Sequence, residues 1–288
     1  MRDARIAPGK EFGVTPTDDQ QTVLCGIVLH PAGHTRSPAM HTAAYAALGL
    51  AARYEVFDVP PQGLAAAIAE ARARGMRQLA ISLPHKETVI PHLDGIDDTA
   101  RAIGAVNTVT LRDGALEGSN TDWLGAVRAL ERETHLGGKH AVVLGAGGSA
   151  RAVVYGLRRH GATVTVLNRS VSRAEALVRD LDAGRAGPLA ALADISHDVL
   201  VNTTSVGLRS DASPVPADAI RAESVVMDAV YDPELTHLLR DAQQRGARTI
   251  AGKWMLVYQA AAQLELWSGR EAPIAVMAAA FDEAGGRI

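Results

Sequence analysis

Short apolar runs alternate with longer amphipathic stretches along most of the chain. TVLCGIVL at 22–29 is a continuous apolar run typical of a buried strand, and SPAMHTAAYAALGL at 37–50 is typical of a helix opened by a serine–proline pair. The same order repeats with a strand at 54–59 and a helix at 61–75. Strands that alternate with helices predict a mostly parallel sheet covered by helices, which is an α/β fold.

The following segment predicts a strand, a short helix and a hairpin. The strand covers 78–83, and the short helix begins at about His85. Asp113 and Gly114 separate two apolar runs within 105–120, and an Asp-Gly pair in that setting is a strong hairpin signal. We expect the hairpin to add an antiparallel edge to the sheet.

A second series of strands and helices follows from Thr121. A helical stretch at 121–133 leads into a strand at 139–145, a helix at 149–161 and a strand at 162–168. Further predicted elements are strands at 198–202, 224–230 and 247–252, and final helices from about Trp254. The two series predict two domains with a cleft between them.

We place the domain boundary near residue 121. The expected division is a flexible tail at 1–20, a first domain at 21–120 and a second domain at 121–258. The last helix, at about 259–288, is expected to return and complete the first domain.

Composition excludes several classes of protein. The 288 residues are 47% hydrophobic and 21% charged, as in a globular chain, and the net charge of −3 gives no electrostatic reason to bind nucleic acid or an anionic membrane. Cys25 is the only cysteine, which fits a reducing cytoplasm. The polar N-terminus lacks an apolar signal segment, and the apolar stretch at 43–52 is too short to span a bilayer. The ten histidines show no metal-site spacing, so we expect no metal. The single cysteine and the lack of a signal or membrane segment lead us to expect a cytoplasmic protein.

A glycine-rich segment lies between the predicted strand at 139–145 and the helix that follows. Glycines there permit a tight turn and let backbone N–H groups approach a pyrophosphate at the helix N-terminus. A plain strand–helix turn is the alternative, but the strand, helix and next strand have the lengths that dinucleotide binding requires. The segment carries Gly145, Gly147, Gly148 and Ala150 in the spacing of a dinucleotide-binding loop.

The end of the next strand indicates which dinucleotide is bound. NAD sites generally place an acidic residue there, whereas this chain has Asn168, Arg169, Ser170 and then Arg173. Guanidinium groups attract the additional phosphate of NADP, which a carboxylate would repel. A solvated charged turn is the alternative, and the position of the cluster favours NADP.

Four polar clusters occur at the predicted strand ends of the first domain. Ligands bind outside the carboxyl ends of strands in open α/β sheets, and these groups would suit a small polyhydroxylated acid. Each residue has an alternative as a helix cap or turn residue. The clusters are His34-Thr35-Arg36-Ser37, Ser82 with Lys86, Asn107-Thr108, and Asn120-Thr121-Asp122.

Together with these clusters, a succession of motifs resembles the shikimate dehydrogenase family over about residues 24–270. The wording of three of them, SPAMH, PHK and NTDWLG, is most like the modules of multifunctional plant and fungal aromatic-biosynthesis polypeptides. The motifs are GHTRSPAMH, ISLPHK, IGAVNTV, GSNTDWLG, LGAGGSARAV, NRSVSRA, LVNTTSVG, DAVYDPELT and GKWMLVYQA.

The resemblance implies reversible, NADP-linked oxidation of shikimate to 3-dehydroshikimate in chorismate biosynthesis. It implies an N-terminal substrate-binding α/β domain and a C-terminal NADP-binding Rossmann domain. Lys86 and Asp122 would form the catalytic pair and contact the substrate. Other implied substrate residues are Thr35, Ser37, Ser82, Asn107, Tyr231 and Gln259. Residues implied to hold NADP are Gly145, Ala146, Gly147, Gly148 and Ser149, together with Asn168, Arg169, Ser170 and Arg173. Residues implied at the nicotinamide end are Thr203, Thr204, Val230 and Gly252.

Several departures from the family pattern leave the substrate open. Thr35 stands where the family usually has serine, and Ser82 stands where it usually has threonine. Ala80 also stands where a polar residue is more common in the family, and Thr42 stands where a different polar residue is more common. Quinate and aminoshikimate therefore remain alternative substrates, because a pocket discriminates by the polar groups it leaves unpaired. Another small-carbonyl NADP dehydrogenase and a non-catalytic regulatory protein on the same fold are further alternatives. The sequence does not decide the oligomeric state, and both a monomer and a homodimer are compatible with it.

Overall fold

A computed structural model describes residues 22–33 and 35–285 of the chain. The predicted tail at 1–20, His34 and the last three residues of the predicted C-terminal helix lie outside the described residues. Two six-stranded sheets, each covered by helices, confirm the predicted α/β fold class. No helix of the described part of the chain is long and apolar enough to cross a membrane.

The first sheet has the strand order β2-β1-β3-β5-β6-β4. Strand β1 pairs in parallel with β2 and β3, and β5 pairs antiparallel with β3. The strands are β1 (Val23–Leu29), β2 (Ala52–Asp58), β3 (Gln78–Ile81), β4 (Gly95–Ile96), β5 (Thr108–Arg112) and β6 (Ala115–Ser119). The helices of this part are α1 (Ser37–Ala47), α2 (Leu64–Ala73) and α3 (Asp98–Ile103).

Strand β1 explains why the first sheet is buried on both faces. Alternate side chains of a strand point to opposite faces, so Cys25 and Ile27 pack with Met40 of α1 while Val28 packs with Leu64 of α2. All five are almost fully buried. The continuous apolar run of the sequence therefore corresponds to a strand between two layers of helices.

The hairpin prediction is confirmed, but its place in the sheet is wrong. Strands β5 and β6 pair antiparallel, and Asp113 and Gly114 turn the chain at φ values of 49° and 82°. The hairpin does not form the edge of the sheet, because the two residues of β4 pair outside β6. Two residues carry too little periodicity to predict a strand.

The helix predicted from about His85 is also wrong. The segment consists of turns followed by one 3₁₀ turn at Ile90–His92. Pro91 lacks an N–H and restricts the residue before it, so a helix beginning here cannot continue. Helix α3 was not predicted, although the side chain of Asp97 caps it by accepting a hydrogen bond from the backbone of Ala100 at 2.6 Å.

The second sheet is entirely parallel, with the order β12-β11-β10-β7-β8-β9. Counted along the chain, this is the 3-2-1-4-5-6 order of a Rossmann fold, with its topological switch point between β7 and β10. The strands are β7 (His140–Leu144), β8 (Thr163–Leu167), β9 (Arg185–Gly187), β10 (Val199–Asn202), β11 (Val225–Asp228) and β12 (Arg248–Ile250). The helices are α4 (Asp122–Leu130), α5 (Gly148–Arg159), α6 (Val171–Leu181), α7 (His237–Gln244), α8 (Gly252–Ser268) and α9 (Ile274–Gly285).

Helix α8 is shared by the hydrophobic cores of the two sheets. Met255 belongs to the core around α4, α5 and β7, whereas Val257 and Leu264 belong to the core around β1 and α1. Helix α9 packs on α1, where the Phe281 side chain joins the same core as Met40. The domain boundaries predicted from the sequence remain predictions.

Candidate active site

Lys86 lies in the turns that follow β3 at the carboxyl edge of the first sheet. Backbone contacts fix this segment, because Val106 N donates to Lys86 O at 2.8 Å. The neighbouring His85 ring is fully buried and donates from Nε2 to the carbonyl of Val59 at 2.7 Å. The lysine is therefore attached to a rigid part of the backbone rather than to a solvated loop.

The ammonium of Lys86 contacts both a carboxylate and the glycine-rich segment. Its Nζ lies 2.6 Å from Asp122 Oδ2 and 3.1 Å from Ser149 Oγ. The Lys86 side chain is 11% exposed and that of Asp122 is 5% exposed, so this ion pair is largely shielded from water. Asp122 is the first residue of α4, where the partial positive charge of a helix N-terminus favours a carboxylate.

Asn107 connects this pair to helix α8. Its Nδ2 lies 2.8 Å from Asp122 Oδ1, 2.9 Å from Thr121 Oγ1 and 3.2 Å from Gln259 Oε1. Its Oδ1 accepts a hydrogen bond from Thr121 N at 2.7 Å. The side chain is 2% exposed, and these contacts fix which end of the amide faces the carboxylate.

Gln263 was not predicted as part of this group. Its Nε2 donates to Asn107 O at 3.1 Å and to Thr108 Oγ1 at 3.0 Å. The signal for it was the spacing from Gln259, since residues four apart on a helix share one face. Thr121 also contributes more than predicted, because its hydroxyl donates to Gln259 O at 3.0 Å and so joins α4 to α8.

Three other predicted substrate residues follow neighbouring strands at the same sheet edge. Thr35 and Ser37 follow β1, Ser82 follows β3, and a hydrogen bond from His30 N to Leu83 O joins these two loops at 2.9 Å. Thr35 Oγ1 accepts from Ser37 N at 3.3 Å. No hydrogen bond among the residues described joins the three hydroxyls to Lys86 or Asp122.

Tyr231 follows β11 and packs edge-on against Phe281 of α9, with ring centroids 5.9 Å apart. Burial raises the pKa of its hydroxyl to about 12, although nearby Arg36 acts in the opposite direction. The hydroxyl therefore remains protonated at neutral pH and can donate a hydrogen bond.

The glycine-rich segment has the local geometry that a bound pyrophosphate needs. Gly145 has a φ of +112°, and a Cβ there would lie 2.6 Å from Thr203 Oγ1. A Cβ at Gly148 would lie 2.9 Å from Cβ of Lys86, whereas one at Gly147 would meet nothing within 4 Å. The space at Gly147 and the N-terminus of α5 fit a phosphate group.

The predicted cations are available at the end of β8. Arg169 and Arg173 are exposed, and neither guanidinium forms an ion pair with any residue that the structure describes. Asn168 donates from Nδ2 to Ser170 O at 3.0 Å, which shapes the turn that carries them. Two unpaired guanidinium groups beside the glycine-rich segment fit a phosphate on the ribose of a dinucleotide.

The four residues predicted at the nicotinamide end surround the carboxyl ends of β7, β10 and β11. Thr203 donates to Leu144 O at 2.6 Å, and Thr204 donates to Asn202 Oδ1 at 2.7 Å. A Cβ at Gly252 would lie 2.5 Å from Val230 O, so only glycine permits this approach of α8 to the loop after β11.

The buried carboxylate of Asp228 stabilises the end of β10 and the loop after β11. Asp228 Oδ1 accepts hydrogen bonds from Asn202 Nδ2 at 2.9 Å and from Val230 N at 3.0 Å, and Oδ2 accepts from Thr236 Oγ1 at 2.7 Å. Burial raises the pKa of Asp228 to about 6 despite these three donors. Sequence reasoning did not identify this residue.

A separate cavity of about 460 Å³ lies beside β12 and the start of α8. Arg132 and Trp254 are among its lining residues, and none of the predicted site residues is. Within 22–33 and 35–285, no group of three His, Cys, Asp or Glu side chains is placed to hold a metal ion.

Three family models match successive parts of the chain. They describe a shikimate dehydrogenase substrate-binding domain (27–109), a shikimate/quinate 5-dehydrogenase (128–209) and a shikimate 5′-dehydrogenase C-terminal domain (252–280). The matched ranges contain Lys86 and Asn107 in the first, the glycine-rich segment in the second and Gln259 in the third.

Individual relatives match most of the chain. A shikimate dehydrogenase (NADP(+)) from Thermococcus kodakarensis is 47% identical over 87% of this chain and 93% of its own length. The structure of shikimate 5-dehydrogenase from Thermus thermophilus with NADP(H) and shikimate gives a TM-score of 0.85 at 39% identity, covering 91% of this chain and 99% of that one.

A relative named for a different substrate matches comparably well. Ligand-free 5-ketofructose reductase of a Gluconobacter strain gives a TM-score of 0.82 at 37% identity, covering 92% of this chain and 99% of that one. Identity of 47% with a shikimate dehydrogenase over 87% of the chain, and three shikimate dehydrogenase domain models in order, lead to one conclusion: the chain belongs to the shikimate dehydrogenase family.

Proposed function

We propose that the chain is an NADP-dependent oxidoreductase that interconverts 3-dehydroshikimate and shikimate. One observation carries the proposal: the Lys86 ammonium contacts Asp122 at 2.6 Å and Ser149 of the glycine-rich segment at 3.1 Å. A proton donor thus lies where the polar edge of the first sheet meets the dinucleotide segment of the second. Family membership and the two available cations, Arg169 and Arg173, support the choice of NADP.

Lys86 handles the proton in this proposal. Bound NADP would supply the hydride acceptor for oxidation of the carbinol carbon, and its reduced form would supply the hydride for reduction. The Lys86 ammonium donates a proton to the carbonyl oxygen during reduction, and the neutral amine accepts the hydroxyl proton during oxidation. Asp122 orients the ammonium through a short charge-assisted hydrogen bond, and shielding from water strengthens this interaction.

The remaining polar residues position the substrate. Asn107 and Gln259 present amide groups on the same side as Asp122, where they would hydrogen-bond ring hydroxyls. Thr35, Ser37 and Ser82 supply hydroxyl groups from the loops after β1 and β3. Tyr231 adds a further donor from the loop after β11.

The dinucleotide would lie across the switch point of the second sheet. Gly145 to Ser149 and the N-terminus of α5 would hold the pyrophosphate, and Asn168, Arg169, Ser170 and Arg173 would hold the ribose phosphate. Thr203, Thr204, Val230 and Gly252 would border the nicotinamide.

A second candidate is a reductase for another small polyhydroxylated carbonyl compound. The 37% identity with 5-ketofructose reductase favours testing it, as do the exchanged hydroxyl residues Thr35 and Ser82. Such a reductase would use the same lysine and dinucleotide segment, so only the substrate preference separates the two candidates.

Initial rates with a panel of substrates test the proposal. The assay measures the rates of oxidation of shikimate, quinate and aminoshikimate with NADP and with NAD. It also measures the rate of reduction of 5-ketofructose with each reduced dinucleotide. We expect kcat/KM to be highest for shikimate with NADP. A higher value for 5-ketofructose would favour the second candidate, and binding of shikimate without turnover of any substrate would favour a regulatory protein.

Substitution of the lysine tests its role. For Lys86→Ala we expect kcat to fall by about 10² to 10⁴, the usual contribution of a positioned acid or base, with little change in NADP affinity. Lys139→Ala is the matched control, because Lys139 is ion-paired with Asp198 at 3.5 Å outside the site. An unchanged kcat in Lys86→Ala, or an equal loss in the control, would contradict the assignment.

A further inference from the structure

Arg209 joins loops that belong to the two different sheets. It lies in the turn after β10, and its Nη2 donates to Gly33 O, in the loop after β1, at 2.7 Å. Its Nε donates to Asp232 Oδ2, in the loop after β11, at 2.9 Å. One guanidinium therefore holds three chain segments together between the two sheets.

The segments held by Arg209 carry three of the predicted substrate residues. Gly33 precedes Thr35 by two residues and Ser37 by four, and Asp232 directly follows Tyr231. Because so few bonds separate these residues from the held backbone, a shift of Gly33 or Asp232 would move their hydroxyl groups as well.

The backbone of Arg209 is also specialised. Its φ of 48° is in the left-handed region that residues other than glycine, asparagine and aspartate seldom adopt. Its N–H donates to Asp232 O at 2.8 Å, so the backbone and the side chain bind the same residue. This arrangement directs the guanidinium toward Gly33 in the loop after β1.

The other arginine of this region is engaged elsewhere. The Arg36 guanidinium lies 4.3 Å from the centroid of the Phe281 ring, and a Cβ at Gly285 would lie 2.6 Å from its Nη1. Arg36 therefore packs against α9. Arg209 is the arginine that crosses between the two sheets at this point.

We propose that Arg209 is a positioning residue for substrate, which holds the loop after β1 against the loop after β11. The substrate part of this inference rests on the function proposed above. Arg209 touches neither Lys86 nor Asp122, so it would stabilise bound substrate equally before and during the reaction. Such an effect changes KM and leaves kcat nearly constant.

Arg209→Asn is the appropriate variant, because asparagine tolerates a left-handed backbone and removes the guanidinium. We expect the KM for shikimate to rise about tenfold, as for loss of a charge-assisted hydrogen bond, with kcat within about twofold. The KM for NADP should not change. Equilibrium binding of shikimate to the NADP-loaded protein should weaken by the same factor.

Arg221→Asn is the matched control. Arg221 is similarly exposed and pairs locally with Glu223 instead of crossing the cleft. Arg209→Lys distinguishes charge from geometry, since an ammonium keeps the charge without the planar pair of donors. We expect the lysine variant to recover only part of the loss. Full recovery, an unchanged KM in Arg209→Asn or an equal change in Arg221→Asn would overturn the proposal.

Hydrogen exchange separates this inference from the proposed function. Backbone amides of residues 30–33 and 35–37 should exchange faster in Arg209→Asn than in wild type, and Arg221→Asn should match wild type. Absence of shikimate turnover by wild type would refute the proposed function, and equal exchange in all three proteins would still refute the role of Arg209.

Discussion

Replacement of Asp228 by asparagine should change how stability depends on pH. The carboxyl group of Asp228 is fully buried, and its pKa is raised to about 6 from an ordinary value of 3.8. Between these values the folded protein keeps a proton that the unfolded chain has released. The free energy of unfolding therefore falls as pH rises through this window, by about 3 kcal/mol for a shift of about 2 pKa units.

Urea unfolding at pH 4, 5, 6 and 7 measures the effect. Asparagine keeps an acceptor for Asn202 Nδ2 and Val230 N but does not titrate. Part of the effect is already present at pH 4, so wild type should lose about 2.4 kcal/mol relative to Asp228→Asn between pH 4 and pH 7. The difference between the two proteins cancels the other titrating groups. Parallel curves, or a wild type that gains relative stability with rising pH, would refute the argument.

Three further outcomes are expected. Gly148→Ala should weaken NADP binding and lower kcat, because the added Cβ would lie 2.9 Å from Cβ of Lys86. Titration with NADP and steady-state rates measure the two effects, and wild-type values would contradict the prediction. Arg169→Gln should raise the KM for NADP about 10-fold or more and leave the KM for NAD unchanged, since only NADP carries the ribose phosphate; equal changes would contradict the assignment. Burial lowers the pKa of His41 to about 3, so the unfolded chain takes up a proton that the folded protein does not as the pH falls. The free energy of unfolding of wild type should therefore drop by about 3 kcal/mol relative to His41→Phe between pH 7 and pH 4. Urea unfolding that shows no relative loss would contradict this prediction.

Local patterns predicted much of the fold because its main elements depend on local sequence. The alternation of buried strands and amphipathic helices is visible in periodicity, and the Asp113-Gly114 turn follows from residues that accept positive φ. Helix α3 was missed because six residues show little periodicity, although Asp97 and Gly104 mark its two ends. The helix expected near His85 does not form, because Pro91 lacks an N–H and restricts the residue before it.

The candidate site was predictable residue by residue but not as an arrangement. Motif resemblance named Lys86, Asp122 and Ser149, yet it assigned the serine to cofactor binding and did not predict its contact with the lysine. That contact joins residues 63 positions apart on different sheets, and no local pattern encodes it. Asp228 and Arg209 were missed for the same reason, because their importance comes from loops that only the folded chain brings together.

Helix α8 has a mechanical consequence for the two halves of the molecule. Gly252 at its start touches the loop after β11, and Gln259, seven residues later, contacts Asn107 beside the first sheet. At a rise of about 1.5 Å per residue, these points are about 10 Å apart along a rod that cannot stretch. Helix α8 therefore fixes the distance between the loop after β11 and Gln259. Any movement of one sheet relative to the other would have to be absorbed by segments outside α8, such as the loops around Arg209.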